Sequence, residues 1–435
     1  MDNPYRMKTV VMSDGERLPM LLLRADGMPL FDPTVYVLTQ VRGRSQSSAT
    51  IERHLRAIMQ LLVFAEAERI NLDERVRTGR LLTMNEIDAL ADAAARPIET
   101  LVERLAERQE ITRQPEAPAR PASLEHYRER LKNEAPPSVV AGSAGTRLRF
   151  MRDYVKWLAS RRIGNLTEDG DIALRRMTLD AFISGINARV PTQRGGNDRL
   201  LPEGLPKEQI KRLLEIVAPD SSENPWRNPK ARVRNELIVQ WLYRLGIRRG
   251  ELLAVRVSDM KGVSSDVTIE RRPDSADDPR IRQPLVKTKG RSLPMASLFQ
   301  PTQKYILEIR AELPEATKHP FLFVDVRIGR PLSHSGLTKV FDDLSEALGF
   351  NVAAHLLRHS WNDAFSAEMD RKKVPEATEK KVRSYLQGWK ETSNTAAVYT
   401  RRHVRETAEK IMLNMQEEVF HGKEQRRTDE PEQAK

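Results

Sequence analysis

Two of the eight histidines in this 435-residue chain, His355 and His359, flank Arg358 within a five-residue stretch. A spacing of three along a helix places His355 and Arg358 on one face, one turn apart. An imidazole can take or give a proton near neutral pH, and a guanidinium offers a planar, permanently charged fork to an oxyanion. A second arginine, Arg248, stands in LGIRRGELL, where Glu251 is close enough to fix its guanidinium. Lys287 and Lys289 lie in VKTKGRSLP, which reads as strand, tight turn and strand, so a lysine on the hairpin lip can reach into an adjoining cleft. Trp389 follows a glycine at the end of a helical stretch, in LQGW, and Tyr399 comes later in VYT. Taken singly, each feature also has a bland reading: a solvated ion pair, a hairpin tip, a structural histidine, a packed indole, a core tyrosine.

Their order distinguishes them. Arg248, then Lys287 on a hairpin, then His355-x-x-Arg358, then Gly388-Trp389, then Tyr399-Thr400 resembles the catalytic domain of the tyrosine site-specific recombinases, or phage-type integrases. The resemblance spans about 200–420 and extends to ELLAVRVSD at 251–259, FLFV at 321–324 and PLS at 331–333.

What it implies is a site-specific recombinase that cleaves and rejoins DNA, exchanging strands through a Holliday junction. Tyr399 would attack the scissile phosphodiester and form a 3′-phosphotyrosyl link, which conserves the bond energy so that rejoining needs no ATP. Arg248 and Arg358 would clamp the non-bridging oxygens, where charge accumulates in the transition state. Trp389 would add an indole N–H and a packing wall, His355 would accept or position the tyrosine proton, and Lys287 would protonate the departing 5′ oxygen. Glu251 and His359 would steady the arginines, although a purely structural role fits both. No metal or other cofactor is implied. The chain departs from the family pattern in three ways. Many members carry His where this one has Trp389, the WKETSNTAAVY segment runs about one residue longer than the common form, and Lys289 competes with Lys287. Lys287 is preferred because it follows the apolar Pro284–Val286 run.

The bulk numbers suit a nucleic-acid partner without requiring one. Lys and Arg number 72 against 61 Asp and Glu, a formal charge of +11 that favours polyanions. Cysteine is absent, which excludes disulfides, thiolate zinc sites and cysteine nucleophiles. Neither a secretory leader nor a long apolar span is legible, so a cytoplasmic protein, nucleoid-associated when on DNA, is expected and no membrane partner.

The elements that must position these residues give a mainly α fold with a small antiparallel sheet (α+β). A β-rich arm is expected over 1–44, with strand-like runs at Met7–Met12, Arg17–Arg24 and Thr34–Val41 separated by Asp-Gly turns. A helical module at 45–191 resembles the family's core-binding domain. There Arg53, Arg56, Arg147, Arg149 and Arg152 are candidate phosphate contacts, or simply a solvated helix face. A Gly- and Pro-containing linker at 192–206 precedes the catalytic domain at 207–421, and a polar tail fills 422–435. Within the catalytic domain, helices are expected at Lys207–Val217, Pro229–Leu245, Pro301–Ala311, Ser335–Leu348, Ala354–Met369, Ala377–Leu386 and from Thr395 onward. Strands are expected at Val267–Arg271, Pro284–Thr288 and Ser292–Met295. The partners implied are double-stranded DNA, a homo-tetramer with a dimer on each recombination site, and accessory recombination proteins. The source would be a bacterium, phage or mobile element. A type IB topoisomerase and an architectural DNA-binding protein are the rival readings.

Overall fold

A computed structural model describes residues 2–44, 47–113, 138–191, 204–284, 286, 288–390, 408–409 and 411–416. The chain divides into two compact units, Met1–Gly196 and Asn197–Lys435.

The N-terminal unit opens with an antiparallel hairpin of β1 (Tyr5–Val11) and β2 (Arg17–Leu23), in register from Tyr5 opposite Leu23 to Val11 opposite Arg17. The next segment departs from expectation. Phe31–Tyr36 is a helix, α1, and Val37–Val41 continues it as a π-helical turn. The β-branched residues of Thr34–Val41 favour a strand, but Tyr36, Val37 and Val41 recur at helical spacing and are buried. Burial against a core outweighs so weak a local preference. The helices that follow are α2 (Ser48–Ala67), α3 (Leu72–Thr78), α4 (Met84–Ala94), α5 (Ile98–Arg113), α6 (Ala141–Ile163) and α7 (Asp169–Arg189). Ser47 caps α2 by accepting the Thr50 N–H, and Thr83 with Glu86 closes a reciprocal capping box on α4. Tyr5, Leu18 and Leu21 share one hydrophobic core with Leu55, Ile58 and Met151. The hairpin is thus built into the helical unit rather than appended to it. Leu21, Leu55 and Ile58 are fully buried and contribute on the order of 1.5–3 kcal/mol each.

The C-terminal unit begins with α8 (Lys207–Val217) and α9 (Pro229–Leu245), at the limits the sequence predicts. Asn228 caps α9 through the Lys230 and Ala231 N–H groups, and Pro229 supplies a preset first turn. A short α10 (Arg249–Ala254) leads to a three-stranded antiparallel sheet of β3 (Met260–Lys261), β4 (Asp266–Ile269) and β5 (Arg291–Pro294), in that order. The strand expected at Pro284–Thr288 does not form among the described residues; β5 pairs with β4 alone. Then come α11 (Phe299–Tyr305), α12 (His334–Leu348), α13 (Ala354–Arg371) and α14 (Glu376–Gln387). Trp241 is fully buried at the centre, its indole N–H donated to Thr302 at 2.9 Å and its ring edge-on to Phe323.

Gly204 and Leu205, which the sequence reading places in the linker, are bonded to α13. The Gly204 N–H donates to Asp363 and the Leu205 N–H to Ser360 Oγ, at 3.0 and 2.8 Å. A Cβ at 204 would fall 2.4 Å from the Ser360 backbone, so only glycine fits there. Among the described residues, no helix is long and apolar enough to cross a membrane.

Candidate active site

Arg248 is positioned by the break between α9 and α10. Helix α9 ends at Gly246 with φ of 60°, a left-handed conformation that glycine adopts freely. The Trp361 ring packs so closely there that a Cβ would lie 2.6 Å from it. The chain therefore turns sharply, and Arg248 becomes the residue preceding α10. Its backbone N–H donates to Glu251 Oε2 at 2.9 Å, and its Nη1 lies 3.4 Å from Glu251 Oε1 and 3.3 Å from the Gln387 carbonyl. About a third of the Arg248 side chain remains exposed.

Arg358 reaches the same carbonyl from α13. Its Nη1 donates to the Gly246 carbonyl at 2.6 Å and its Nη2 to the Gln387 carbonyl at 3.5 Å. The guanidinium carbon sits 5.5 Å from the centre of the Trp389 ring, within cation–π range. Trp389 follows the left-handed cap Gly388, and its backbone N–H returns to the Ser384 carbonyl at 2.8 Å. The end of α14 thus presents one carbonyl to two arginines and then places an indole beside one of them.

Glu251 is the buried anchor. Besides Arg248 it accepts the Thr288 hydroxyl at 2.6 Å and two nitrogens of Arg291, Nη1 at 3.3 and Nη2 at 2.9 Å. Burial alone would raise this carboxyl, but Arg291, Thr288 and the Arg248 N–H together outweigh it and hold it below the usual carboxylate range. Sequence reasoning did not find Arg291 or Thr288. The available signal was strand alternation, which puts Arg291 on the same buried face of β5 as Leu293, with exposed Ser292 between them.

His355 and His359 lie on α13 with ring centres 6.0 Å apart, edge to face. His355 is exposed. His359 is half-buried, and burial, then His355, then Arg358 push its imidazole down to about 4. An imidazole so depressed is neutral at physiological pH. Arg248, His355, Arg358, His359 and Trp389 together line an open cavity of about 640 Å³, walled on the other side by Leu337, Phe341 and Asp342. A cavity with two fixed guanidinium forks, an imidazole and an indole suits a phosphate-sized anion. Lys287 and Tyr399 lie outside the described residues. Lys289 is exposed, and its backbone N–H donates to the Gly388 carbonyl at 3.2 Å, which ties the segment leading into β5 to the end of α14.

In the N-terminal unit the five candidate phosphate contacts lie on two helices, α2 and α6. Arg53 and Arg56 are exposed on α2, Arg53 over the Phe150 ring and Arg56 paired with Glu52 at 2.7 Å. Arg147 is partly buried and caps the end of α4, donating to the carbonyls of Ala94 and Arg96. Arg152 is held by Asp153 and Asn187, while Arg149 is exposed. Arg53, Arg56 and Arg147 line one cavity with Glu99.

The phage integrase family model matches residues 203–406. The chain is 24% identical over 270 residues to a tyrosine recombinase, XerA, of Pyrococcus furiosus, covering 60% of this chain and 81% of that one. It is 29% identical over 168 residues to the tyrosine recombinase XerD of Oceanobacillus iheyensis, covering 38% of this chain and 48%, under half, of that one. Among solved structures, the XerH site-specific recombinase bound to its difH substrate before cleavage aligns with a TM-score of 0.36 at 18% identity, covering 77% of this chain and 94% of that one. The residues that build the arginine cavity all fall inside the matched segment, so residues 203–406, which carry the site, are the part of the chain that is similar to the phage integrase family and the tyrosine recombinases.

Proposed function

We propose that this chain is a site-specific DNA recombinase that cuts one strand at a time through Tyr399 and reseals it without external energy. The observation that carries the reading is the pair of guanidinium groups, Arg248 and Arg358, bonded to one carbonyl at the end of α14 and facing one cavity with His355 and Trp389. Donors fixed in advance stabilise charge as it develops without reorganising, which is usually the largest single contribution to catalysis. In this reading the scissile phosphate sits in the cavity with its non-bridging oxygens on the two arginines. The exposed imidazole of His355 handles the tyrosine proton, and neutral His359 supports it from the same helix. Trp389 closes the pocket over Arg358 and offers its indole N–H. Lys287 delivers the proton to the leaving 5′ oxygen, with Lys289, two residues on, as the alternative.

Duplex DNA is the partner, and Arg53, Arg56, Arg147, Arg149 and Arg152 are the contacts proposed for the N-terminal unit. Arg53, Arg56 and Arg149 are the most exposed of these, whereas Arg147 and Arg152 are partly buried and bonded to neighbouring groups. Strand exchange through a Holliday junction calls for a tetramer, two copies on each site. The helical segment at 411–416 supports that assembly, since Ile411, Met412, Leu413 and Met415 are each more than half exposed and suit docking on a second copy.

Nicked duplexes, selected by the protein from a randomised pool, trap the covalent intermediate because the short cleaved strand diffuses away. Wild type in EDTA is expected to give an adduct on denaturing gels, and Tyr399→Phe none. Sequence-specific binding without any adduct would favour an architectural protein, and efficient relaxation of plasmid DNA lacking the selected site would favour a topoisomerase.

A further inference from the structure

We propose that Arg291 is a positioning residue for cleavage: by saturating the buried carboxylate of Glu251 it leaves Arg248 available to the scissile phosphate. The inference rests on the recombinase reading above and concerns how its first arginine is kept in play.

Glu251 and the Arg291 side chain are both essentially inaccessible, at 0% and 1% exposure. A carboxylate in such a place attracts whatever cations can reach it. Two can. Arg291 approaches from β5 with two nitrogens, the nearer at 2.9 Å, while Arg248 offers one side-chain nitrogen at 3.4 Å. Thr288 takes a further share of Oε1 at 2.6 Å, and the Arg248 backbone N–H takes Oε2 at 2.9 Å. The carboxylate is thus satisfied mainly by Arg291 and Thr288, neither of which lines the cavity. Arg248 is left with its longest contact there and with a third of its side chain in the open.

Without Arg291 the same carboxylate would have Arg248 as its remaining nearby guanidinium. The fork would swing inward to make the short, two-pronged pair that Arg291 now makes, and the phosphate would lose a donor. Arg291 also holds β5 to α14, donating Nε to the Leu386 carbonyl at 2.6 Å. The carbonyl of the next residue, Gln387, is the one that receives both cavity arginines. One side chain therefore sets the charge balance at Glu251 and ties together the three elements that converge on the site.

The test compares Arg291→Met, Arg291→Lys, Glu251→Gln and the double variant Glu251→Gln/Arg291→Met. All are assayed for single-turnover adduct formation and DNA affinity on the nicked duplexes that wild type cleaves. Arg291→Met is expected to lower the cleavage rate by ~100-fold, the size associated with losing one preorganised donor, while the dissociation constant moves less than about threefold. Neutralising Glu251 in that background is expected to recover ~10-fold or more of the rate, because nothing then competes for Arg248. Arg291→Lys should fall between. A merely structural role predicts the opposite for the double variant, which loses a second buried contact and should be no better than the single one. Three results overturn the inference: a folded Arg291→Met that cleaves like wild type, a folded double variant no faster than the single, or a double variant that cannot fold. Wild type that never forms a Tyr399-dependent adduct would instead remove the recombinase reading beneath it.

Discussion

The arginines of the two units are held in different ways. In the C-terminal unit Arg248, Arg291 and Arg358 converge from α10, β5 and α13 on one buried carboxylate and on the last carbonyls of α14. In the N-terminal unit Arg53 and Arg56 lie exposed along α2, one against a ring and the other beside a glutamate one turn away. Surface pairs of that kind contribute about 0–1 kcal/mol and exchange readily with solvent or phosphate. The first group is fixed in one geometry, which on the proposed reading presents Arg248 and Arg358 to the phosphate. The second is suited to follow a backbone whose position varies by an ångström or two. On the proposed reading, the difference separates chemistry from grip.

On that division, Arg358→Lys has the largest expected effect. It keeps the charge but cannot span the Gly246 and Gln387 carbonyls with one plane, so cleavage should fall by ~100–1,000-fold with little change in affinity. Single-turnover cleavage at saturating protein measures it, and near-normal cleavage by the lysine variant would break the comparison outright. A smaller effect is expected from Arg53→Ala and Arg56→Ala. Each should reduce the slope of log affinity against log salt by about 0.9, one phosphate contact's worth, and leave the cleavage rate at saturation unchanged. Titrations at several salt concentrations would reveal it, and a loss of rate at saturation would place these residues with the first group.

The smallest effect sharpens the site's own electrostatics. His359 is depressed to about 4 in the folded state, against an ordinary value near 6.5, so the unfolded chain takes up the proton first as pH falls. Its contribution to stability is therefore present above about pH 6.5 and is lost progressively towards pH 4. Replacing it with Gln should flatten the acid limb of a plot of melting temperature against pH. An unchanged limb would mean that other groups carry it.

Much of this was legible in the sequence because it is local. Asn228 before Pro229, a helical period, and Gly246 at the end define α9 without reference to the rest of the molecule. The His355-x-x-Arg358 face follows from helical spacing in the same way. Of the partners of Glu251, Arg248 is local and legible, but Arg291 and Thr288 were hidden because they are not. Arg291 lies forty positions away and Thr288 thirty-seven, and nothing in either neighbourhood names the other. The Thr34–Val41 segment misled for a related reason. Its β-branched residues speak for a strand, and only the core they meet makes them helical. Lys287 and Tyr399 rest on the family pattern alone.

The attachment of Gly204 and Leu205 to α13 bears on how this molecule can be divided. A fragment starting at Lys207, where the helical pattern begins, would strip Ser360 and Asp363 of the N–H groups they now accept. Those acceptors are on the helix that carries His355 and Arg358, a turn or so downstream. An excised domain cut at the visible helix start would thus carry an injury at its working end, while one begun a few residues earlier would bring its own splint.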